Sequence, residues 1–353
     1  MKRDPMSDRE QHGLRGPVRE WVVETIYAGA TAADGAPIPP SRCRYATEYS
    51  MEGRTTAIRR LNSDGSEWIT GHVYDSFGRL LKTTYGNGEK PIAEALYFYS
   101  DRGRLLNITD SRRPLNPVTF RYDENGRKTK LEISRPEDYQ PNVAVAGDPF
   151  QAVDRAPNLP GGGSATTLYD DYDRPIEVQV RDAQGEIVKR AVRIYDAQGR
   201  ASEEKQILDN PETLIPAEMR TEILKASGAS REELHAHLRR LMGGQSGPYS
   251  IAWSYDELGR VTETRRRIFN EEHLIETTYN EYGDKAVEIT RSKQIGGDEH
   301  SQPRPGLPSY SEGRYDYEYD DHGNWTKEIV SYRSDPDGTF EPSPPRLRTL
   351  TYY

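Results

Sequence analysis

The chain contains a single cysteine, Cys43, and lacks any long apolar run. One cysteine excludes a disulfide framework and a thiolate metal site. Residues 1–15 are charged and have no apolar segment typical of a secretory signal, and no stretch is long enough to span a membrane. We therefore expect no transmembrane segment, and a protein that is cytoplasmic by default or exported without a conventional signal peptide.

Positive charge is scarce relative to negative charge. The chain has 48 Lys and Arg against 57 Asp and Glu, which gives a formal net charge of −9. The arginines are interleaved with acidic residues along the sequence. Nucleic acids and anionic membranes bind concentrated positive surfaces, so neither is expected as a partner.

Apolar residues are also few. They make up 34% of the chain, charged residues make up 30%, and the mean hydropathy is −0.91, a balance that by itself favours disorder. However, 23 Tyr and 4 Trp supply large surfaces for burial. The composition therefore indicates a well-solvated β-structure with a thin core.

What the chain does have is a six-residue motif that recurs nine times: Tyr-Asp, two variable residues, Gly and Arg. Self-similarity of this kind predicts an array of equivalent structural units. The clearest copies begin at Tyr74, Tyr122, Tyr195 and Tyr255, and looser copies begin at Tyr49, Tyr99, Tyr169, Tyr279 and Tyr319.

Each copy predicts a strand, a tight turn and a returning strand. An apolar or aromatic residue two positions before the Tyr, such as Phe120 before Tyr122, puts both side chains on one face of a strand. The Asp accepts a backbone hydrogen bond from two residues on, and the Gly takes the left-handed conformation of a type I turn with a Gly bulge. We expect this turn role for Gly78, Gly103, Gly126, Gly199, Gly259 and Gly323.

Three copies depart from the motif at its Gly or Arg position. Asp173 takes the place of the Gly in the Tyr169 copy, and we expect the turn to persist because Asp tolerates the left-handed region better than most residues. The Arg is replaced by Asp284 in one copy and by Asn324 in another.

The repeats predict a single all-β domain over residues 1–353: an antiparallel array of hairpins that forms a curved or rolled sheet. Three insertions interrupt it. Loops are predicted over 136–163 and 296–313, and a helical hairpin is predicted over 210–247. Residues 16–27 and 347–353 are expected to be the first and last strands. As free edges, they would allow association with another chain.

The helical insertion shows an amphipathic pattern in two segments. The first begins after Pro216 and stops at Gly228, and the second begins with a capping box formed by Ser230 and Glu233. It is interpreted as a cap over exposed sheet, with a partner-binding element as the alternative.

The motif, with an aromatic residue before the Tyr and a polar strand after the Arg, resembles the YD repeat of the Rhs family from about Tyr49 to the C-terminus. Nine copies in register make the resemblance specific. It implies an array of β-hairpins and a binding surface, since carbohydrate binding has been attributed to such repeats, and relatives are often exported or at the cell surface. Large members enclose a toxic domain in a β-cage. Here the units are too few and nothing follows the last repeat, so we expect no toxin-delivery role.

The tyrosines are the leading candidates for a binding site. On stacked hairpins they form a ladder on which a sugar ring can stack, although cross-strand packing is the favoured explanation of the same pattern. The candidate binding residues are Tyr74, Tyr99, Tyr122, Tyr195, Tyr255 and Tyr319.

Catalytic, metal and cofactor sites are not recognisable. No segment has the spacing of a calcium loop, and His235 and His237 lie two residues apart, which is wrong for a zinc pair on a helix. The acidic pairs at 170–171 and 320–321 are better explained as turn formers than as glycosidase carboxylates. We therefore expect no cofactor and no metal.

The sequence thus predicts a non-enzymatic scaffold or binding protein, with a glycan or a protein as its partner. Two alternatives remain: a structural or assembly component related to cage proteins, and a glycan-processing enzyme.

Overall fold

The strands follow the motif spacing closely. The computed structural model describes residues 7–27, 30–31, 37–38, 40–62, 65–87, 90–112, 118–126, 128–135, 163–210, 217–241, 249–268, 271–295 and 309–353. Its strands are β1 (Val18–Tyr27), β2 (Ala30–Thr31), β3 (Pro37–Ile38), β4 (Ser41–Tyr49), β5 (Thr55–Leu61), β6 (Glu67–Tyr74), β7 (Leu80–Asn87), β8 (Lys90–Tyr99), β9 (Leu105–Asp110), β10 (Val118–Tyr122), β11 (Lys128–Arg135), β12 (Gly163–Tyr169), β13 (Pro175–Asp182), β14 (Ile187–Tyr195), β15 (Ala201–Leu208), β16 (Tyr249–Tyr255), β17 (Val261–Ile268), β18 (Glu271–Tyr279), β19 (Lys285–Gln294), β20 (Tyr310–Tyr319), β21 (Trp325–Arg333), β22 (Glu341–Pro342) and β23 (Arg346–Tyr352).

Strands β4 to β21 form an antiparallel meander in which each strand bonds to the next. Beyond it, β23 pairs with β21, and β1 pairs with both β23 and β4. Among the strands described, the two-residue strand β22 is paired with β21 alone. The other strands of the main sheet therefore close into a barrel of 20 strands.

Closure corrects two predictions. The hairpins do not form an open curved or rolled sheet, because the first and last strands pair with each other over Val18–Thr25 and Arg346–Tyr352. These two strands do complete the sheet, as predicted. However, each has a neighbour on both sides, so within the described residues they offer no free edge for another chain.

The two ends of the barrel differ. In a meander alternate connections lie at the same end, so all nine motif turns lie at one end, which we call the turn end. The opposite end, the loop end, carries connections of varied length. Strand β1 begins and β23 finishes at the turn end, since both are antiparallel to their neighbours. The chain termini therefore occupy a tenth position in the ring of turns.

One predicted insertion, the helical hairpin, is described by the structure and lies at the loop end. The helical hairpin is confirmed as α2 (Ala217–Ser227) and α3 (Arg231–Leu241); the short helix α1 (Asp8–Gln11) precedes both in the chain. The capping box of α3 is present, since the Glu233 amide donates to Ser230 Oγ at 3.1 Å. Residues 136–162 and 296–308 lie outside the described residues. The predicted loop 296–313 extends too far, because β20 already begins at Tyr310. None of the helices in the described ranges has the length and apolar content to cross a membrane.

One face of the sheet is buried more than the other. Val178, Val180 and Ala191 are fully enclosed and share a face by register, whereas Val73 and Phe98 on the other face are 48% and 47% exposed. We call the buried side the inner face and the other the outer face. The outer face carries cross-strand ion pairs, which include Arg59–Glu48, Lys82–Glu94 and Lys293–Glu272.

Candidate functional site

The motif turns share one hydrogen-bond pattern, which the Tyr74 copy illustrates. The Gly78 amide donates to the Asp75 carbonyl at 2.9 Å, and the Asp75 amide donates to the Arg79 carbonyl at 3.0 Å. The Asp75 carboxylate accepts from the amides of Phe77 and Arg79 and from Arg79 Nε, at 2.6–2.9 Å. These bonds, led by the Arg79 amide, hold the pKa of Asp75 below its usual range. Asp75 is therefore a turn-capping group, as predicted.

The backbone conformation of the turns is also as predicted. Asp173 takes φ of 60° and its amide donates to the Asp170 carbonyl at 3.1 Å, so the turn persists without glycine. The six glycines assigned to turns have φ between 75° and 83°: Gly78, Gly103, Gly126, Gly199, Gly259 and Gly323.

The motif tyrosines bind the preceding copy. Each of six tyrosine hydroxyls donates to the backbone carbonyl that directly follows the Arg position of the copy before it, at 2.6–2.9 Å. Such a bond satisfies a polar tip inside the sheet. Burial accordingly raises the pKa of Tyr74 to about 12. The pairs are Tyr74–Thr55, Tyr99–Leu80, Tyr122–Leu105, Tyr195–Pro175, Tyr255–Ala201 and Tyr279–Val261.

The motif arginines lie over the same tyrosine rings. The distance from guanidinium Cζ to ring centroid is 4.4–5.9 Å, within the range of a cation–π contact. Tyrosine and arginine therefore alternate around the turn end. The pairs are Arg54–Tyr74, Arg79–Tyr99, Arg104–Tyr122, Arg174–Tyr195, Arg200–Tyr255 and Arg260–Tyr279.

Five of the six candidate binding tyrosines thus have both the hydroxyl and a ring face engaged by the neighbouring repeat. The sixth, Tyr319, differs: its hydroxyl donates to Asp284 Oδ2 at 3.0 Å and accepts from Asn280 Nδ2 at 2.7 Å. The structure brings all six to one end of the barrel, in the cross-strand packing that the sequence favours. Their role in ligand binding stays a prediction.

The two copies that lack the motif Arg lie next to the closure of the barrel. In the Tyr279 copy, Asp284 stands at the Arg position, so this copy has no arginine side chain to contact the turn of the Tyr319 copy. Arg15 from the N-terminal segment occupies the position of the missing arginine. Its guanidinium donates to the carbonyls of Gly323 and Tyr282. The Arg15 amide donates to Asn324 Oδ1, and Asn324 Nδ2 donates back to the Arg15 carbonyl, both at 2.8 Å. Asn324 is therefore a docking residue for the N-terminal segment.

Tyr49 lies on the other side of this closure, where no preceding motif exists. Its hydroxyl accepts from Trp21 Nε1 at 2.7 Å and lies 2.5 Å from His12 Nδ1. Tyr353 completes the contact by donating its hydroxyl to the Tyr49 carbonyl at 2.5 Å. Residues near both termini thus replace the missing tenth copy.

One carboxylate of each acidic pair considered for glycoside cleavage, Asp170 or Asp320, is engaged in a motif turn. Asp170 caps its turn and binds Arg174 Nε at 2.8 Å. Asp320 accepts from the amides of His322 and Asn324 and from the Tyr352 hydroxyl. Within the described residues no cluster of three or more His, Cys, Asp or Glu side chains is suited to hold a metal ion.

All four tryptophans of the chain lie on the inner face, a feature that the sequence analysis missed. By strand register, Trp21 is opposite the buried Thr47, and Trp325 is opposite Tyr319. Trp253 lies two residues before Tyr255 on the same strand, so both side chains are on the same face. Trp68 shares its face with His72, opposite the buried Thr83. Every second residue before a motif Tyr shares its face of the strand, and so does the residue paired with that Tyr across the turn. Applied to the sequence, this rule would have assigned Trp68, Trp253 and Trp325 to the inner face.

A row of directly opposed residues crosses the inner face from β23 to β6. Cross-strand pairing places them in the order Arg348, Val23, Tyr45, Arg60 and Trp68. Trp325 extends the row, since the Arg348 guanidinium lies 3.9 Å from the centroid of its ring. Neighbouring strands are about 4.8 Å apart, so the five strands span roughly 19 Å. We call these residues the inner row.

Arg348 is unusual for a buried cation. It is only 8% exposed, and its Nε donates to the Trp325 carbonyl at 2.7 Å. Burial lowers the pKa of this guanidinium to about 10. Among the described residues no carboxylate lies within ion-pair distance of it, whereas the nearby Arg346 pairs with Glu328 at 2.5 Å.

A groove of about 650 Å³ lies on the outer face beside β18 and β19. Its charged groups are already paired: Lys293 with Glu272 at 2.8 Å, and Arg291 with Glu276. This pairing leaves the inner row as the stronger candidate.

No protein-family model matches the chain, and no curated protein matches it. Among solved structures, it is similar to a porin-like protein from Bacteroides uniformis, with 11% identity over 96% of this chain and 99% of that chain and a TM-score of 0.37. It is also similar to the Tc holotoxin pore of Photorhabdus luminescens, with 15% identity over 88% of this chain and 16% of that chain and a TM-score of 0.26. The TcdB2–TccC3 structure is similar at 12% identity over 91% of this chain and 19% of that chain, with a TM-score of 0.25. This chain therefore spans less than a fifth of either toxin chain. Scores this low leave the function to be argued from the chain's own residues.

Proposed function

We propose that the protein is a non-enzymatic binding scaffold that takes a carbohydrate ligand on its inner face. The observation that carries this proposal is the placement of all four tryptophans on that face. Aromatic faces stack on apolar faces of sugar rings, and Trp offers the largest such surface. Trp68 is 37% exposed, so its ring is accessible rather than buried in a core.

The repeat motif supports the proposal by elimination. Its Tyr, Asp and Arg side chains bind one another or the backbone around the turn end. They therefore act as the framework, and ligand binding falls to residues outside the motif. The enzyme alternative has less support, because the acidic pairs at 170–171 and 320–321 lie at turns.

Titration with a panel of neutral and acidic oligosaccharides tests the proposal, with intrinsic tryptophan fluorescence and calorimetry as readouts. Trp68→Ala should weaken binding by about tenfold, the loss of one stacked ring. Phe98→Ala is the matched control, since Phe98 is an exposed aromatic residue on the outer face. Equal loss in both variants, or no binding to any saccharide, would overturn the proposal.

A further inference from the structure

The geometry points to a carboxylated saccharide, such as a uronic-acid oligomer, as the ligand of the inner row; this inference rests on the proposed function. The inner row alternates apolar and cationic groups: Trp325, then Arg348, then Val23 with Tyr45, then Arg60, and then Trp68. An oligosaccharide that carries a carboxylate on its rings presents the complementary alternation of apolar ring faces and negative charges.

Arg348 supplies the first cationic position. Its guanidinium is held by the Trp325 carbonyl through Nε and by the Trp325 ring beneath it. The two terminal nitrogens have no partner among the described residues, and they form the fork that binds a carboxylate in a bidentate manner. With a pKa of about 10, the group stays charged near neutral pH.

Arg60 supplies the second cationic position. It lies three strands from Arg348 in the same register, flanked by Tyr45 on β4 and Trp68 on β6. Its side chain is exposed and has no ion-pair partner in the described part of the chain. By contrast, most described arginines of the outer face pair with a carboxylate, as Arg44 does with Glu24 at 3.7 Å.

The unpaired state of these two arginines is what selects an acidic ligand. Arg348 is buried, and an unpaired buried guanidinium destabilises the free protein, so a carboxylate that reaches it removes that penalty. Arg60 is exposed, and there a ligand carboxylate adds a charge-assisted contact. A neutral sugar gains the stacking surface alone. The charge of the ligand therefore adds affinity at two points of the inner row.

The test compares a short oligogalacturonide with the same oligomer after methyl esterification, which removes the charges and keeps the sugar backbone. We expect the free acid to bind about tenfold more tightly than the ester, the contribution of one charge-assisted hydrogen-bonded pair. The difference should shrink as salt concentration rises.

Variants locate the site. Arg348→Lys keeps the charge but not the fork, and Arg60→Gln removes an exposed charge with little risk to folding, which a thermal melt checks. Each should weaken binding of the free acid by several-fold and leave the ester unchanged. Arg44→Gln is the control, because Arg44 precedes Tyr45 on the same strand, faces outward and carries the same charge.

The outcomes separate the two proposals. Equal binding of acid and ester, lost in Trp68→Ala but not in the arginine variants, overturns the acidic ligand and keeps the proposed function. Equal loss in Arg44→Gln and Arg60→Gln assigns the effect to net charge and also overturns the inference. Binding of neither oligomer, nor of any saccharide in the panel, overturns both.

Discussion

The hydroxyl of Tyr255 donates to the carbonyl of Ala201 at 2.6 Å, although the two residues are 54 positions apart in the chain. The helical insertion lies between these two residues. Tyr99 and Leu80, which are 19 positions apart in the sequence, make the same bond at 2.8 Å. The turn end is therefore built identically whether the connection at the loop end is short or long.

This bond can be tested by removing a single oxygen. Tyr255→Phe leaves the Ala201 carbonyl without its donor and should lower the free energy of unfolding by about 1 kcal/mol. Urea denaturation measures the change. Tyr172→Phe is the control, since Tyr172 is 78% exposed. Equal effects in both variants would contradict the proposed role of the bond.

The turn glycines can be tested at Gly126. Its φ is +83°, and a Cβ would lie 1.9 Å from Arg104 Nη2. Gly126→Val should therefore destabilise by about 1–2 kcal/mol from backbone strain alone, with the clash in addition. Glu124→Val, in an exposed position of the same turn, should change the melting temperature little. Similar melting shifts would refute the turn assignment.

The barrel closure can be tested at Arg15. Arg15→Ala removes the guanidinium bonds to Gly323 and Tyr282 and should cost about 2 kcal/mol, as expected for charge-assisted bonds. Hydrogen exchange should speed up first in β1 and β23. Arg19→Ala, an exposed position four residues on, serves as the control. Uniform exchange across the barrel in Arg15→Ala would argue against a local role.

Stability at acidic pH should depend on Glu312. Its carboxylate accepts from the Tyr310 hydroxyl at 2.7 Å and from Arg333 and Arg314, and these bonds, led by Tyr310, lower its pKa to about 2. Since the folded pKa lies below the usual value of 4.5, the stabilisation is present above pH 4.5 and is lost as pH falls towards 2.

Glu312→Gln should therefore be less stable than the natural protein near neutral pH and should lose less stability between pH 4.5 and 2. Urea midpoints of both proteins across that range measure the difference. Parallel pH profiles would contradict the assignment.

The helical insertion should be dispensable for the barrel. Deleting residues 210–247 and joining the strands by a short turn should leave the β signal in circular dichroism largely intact, because the insertion lies at the loop end. Global unfolding of the deletion variant would show that α2 and α3 belong to the core.

Local features of the fold could be predicted from the sequence because they depend on residues close in the chain. The Asp cap, the left-handed Gly and even Asp173 follow from the chemistry of a four-residue turn. The capping box at Ser230 is equally local. Closure could not be predicted in this way, because it depends on the twist accumulated over the whole ring of strands.

The candidate site was missed for a related reason. The repeated tyrosines attract attention, but repetition reflects their role in the framework. The inner row contains residues that recur in no motif, and only cross-strand register aligns Arg348 with Tyr45 and Arg60. The signal at the closure was Asp284 and Asn324, the two positions where the expected arginine is absent.

Because the closure uses its own contacts, between Arg15 and Asn324 and between Tyr49 and Trp21, it is independent of the number of repeats between them. Each repeat adds one hairpin to the ring. A chain of this design can therefore change its circumference only in steps of two strands, and the count stays even whatever repeats are gained or lost. The width of the interior is then set by how many copies of a short turn the sequence contains.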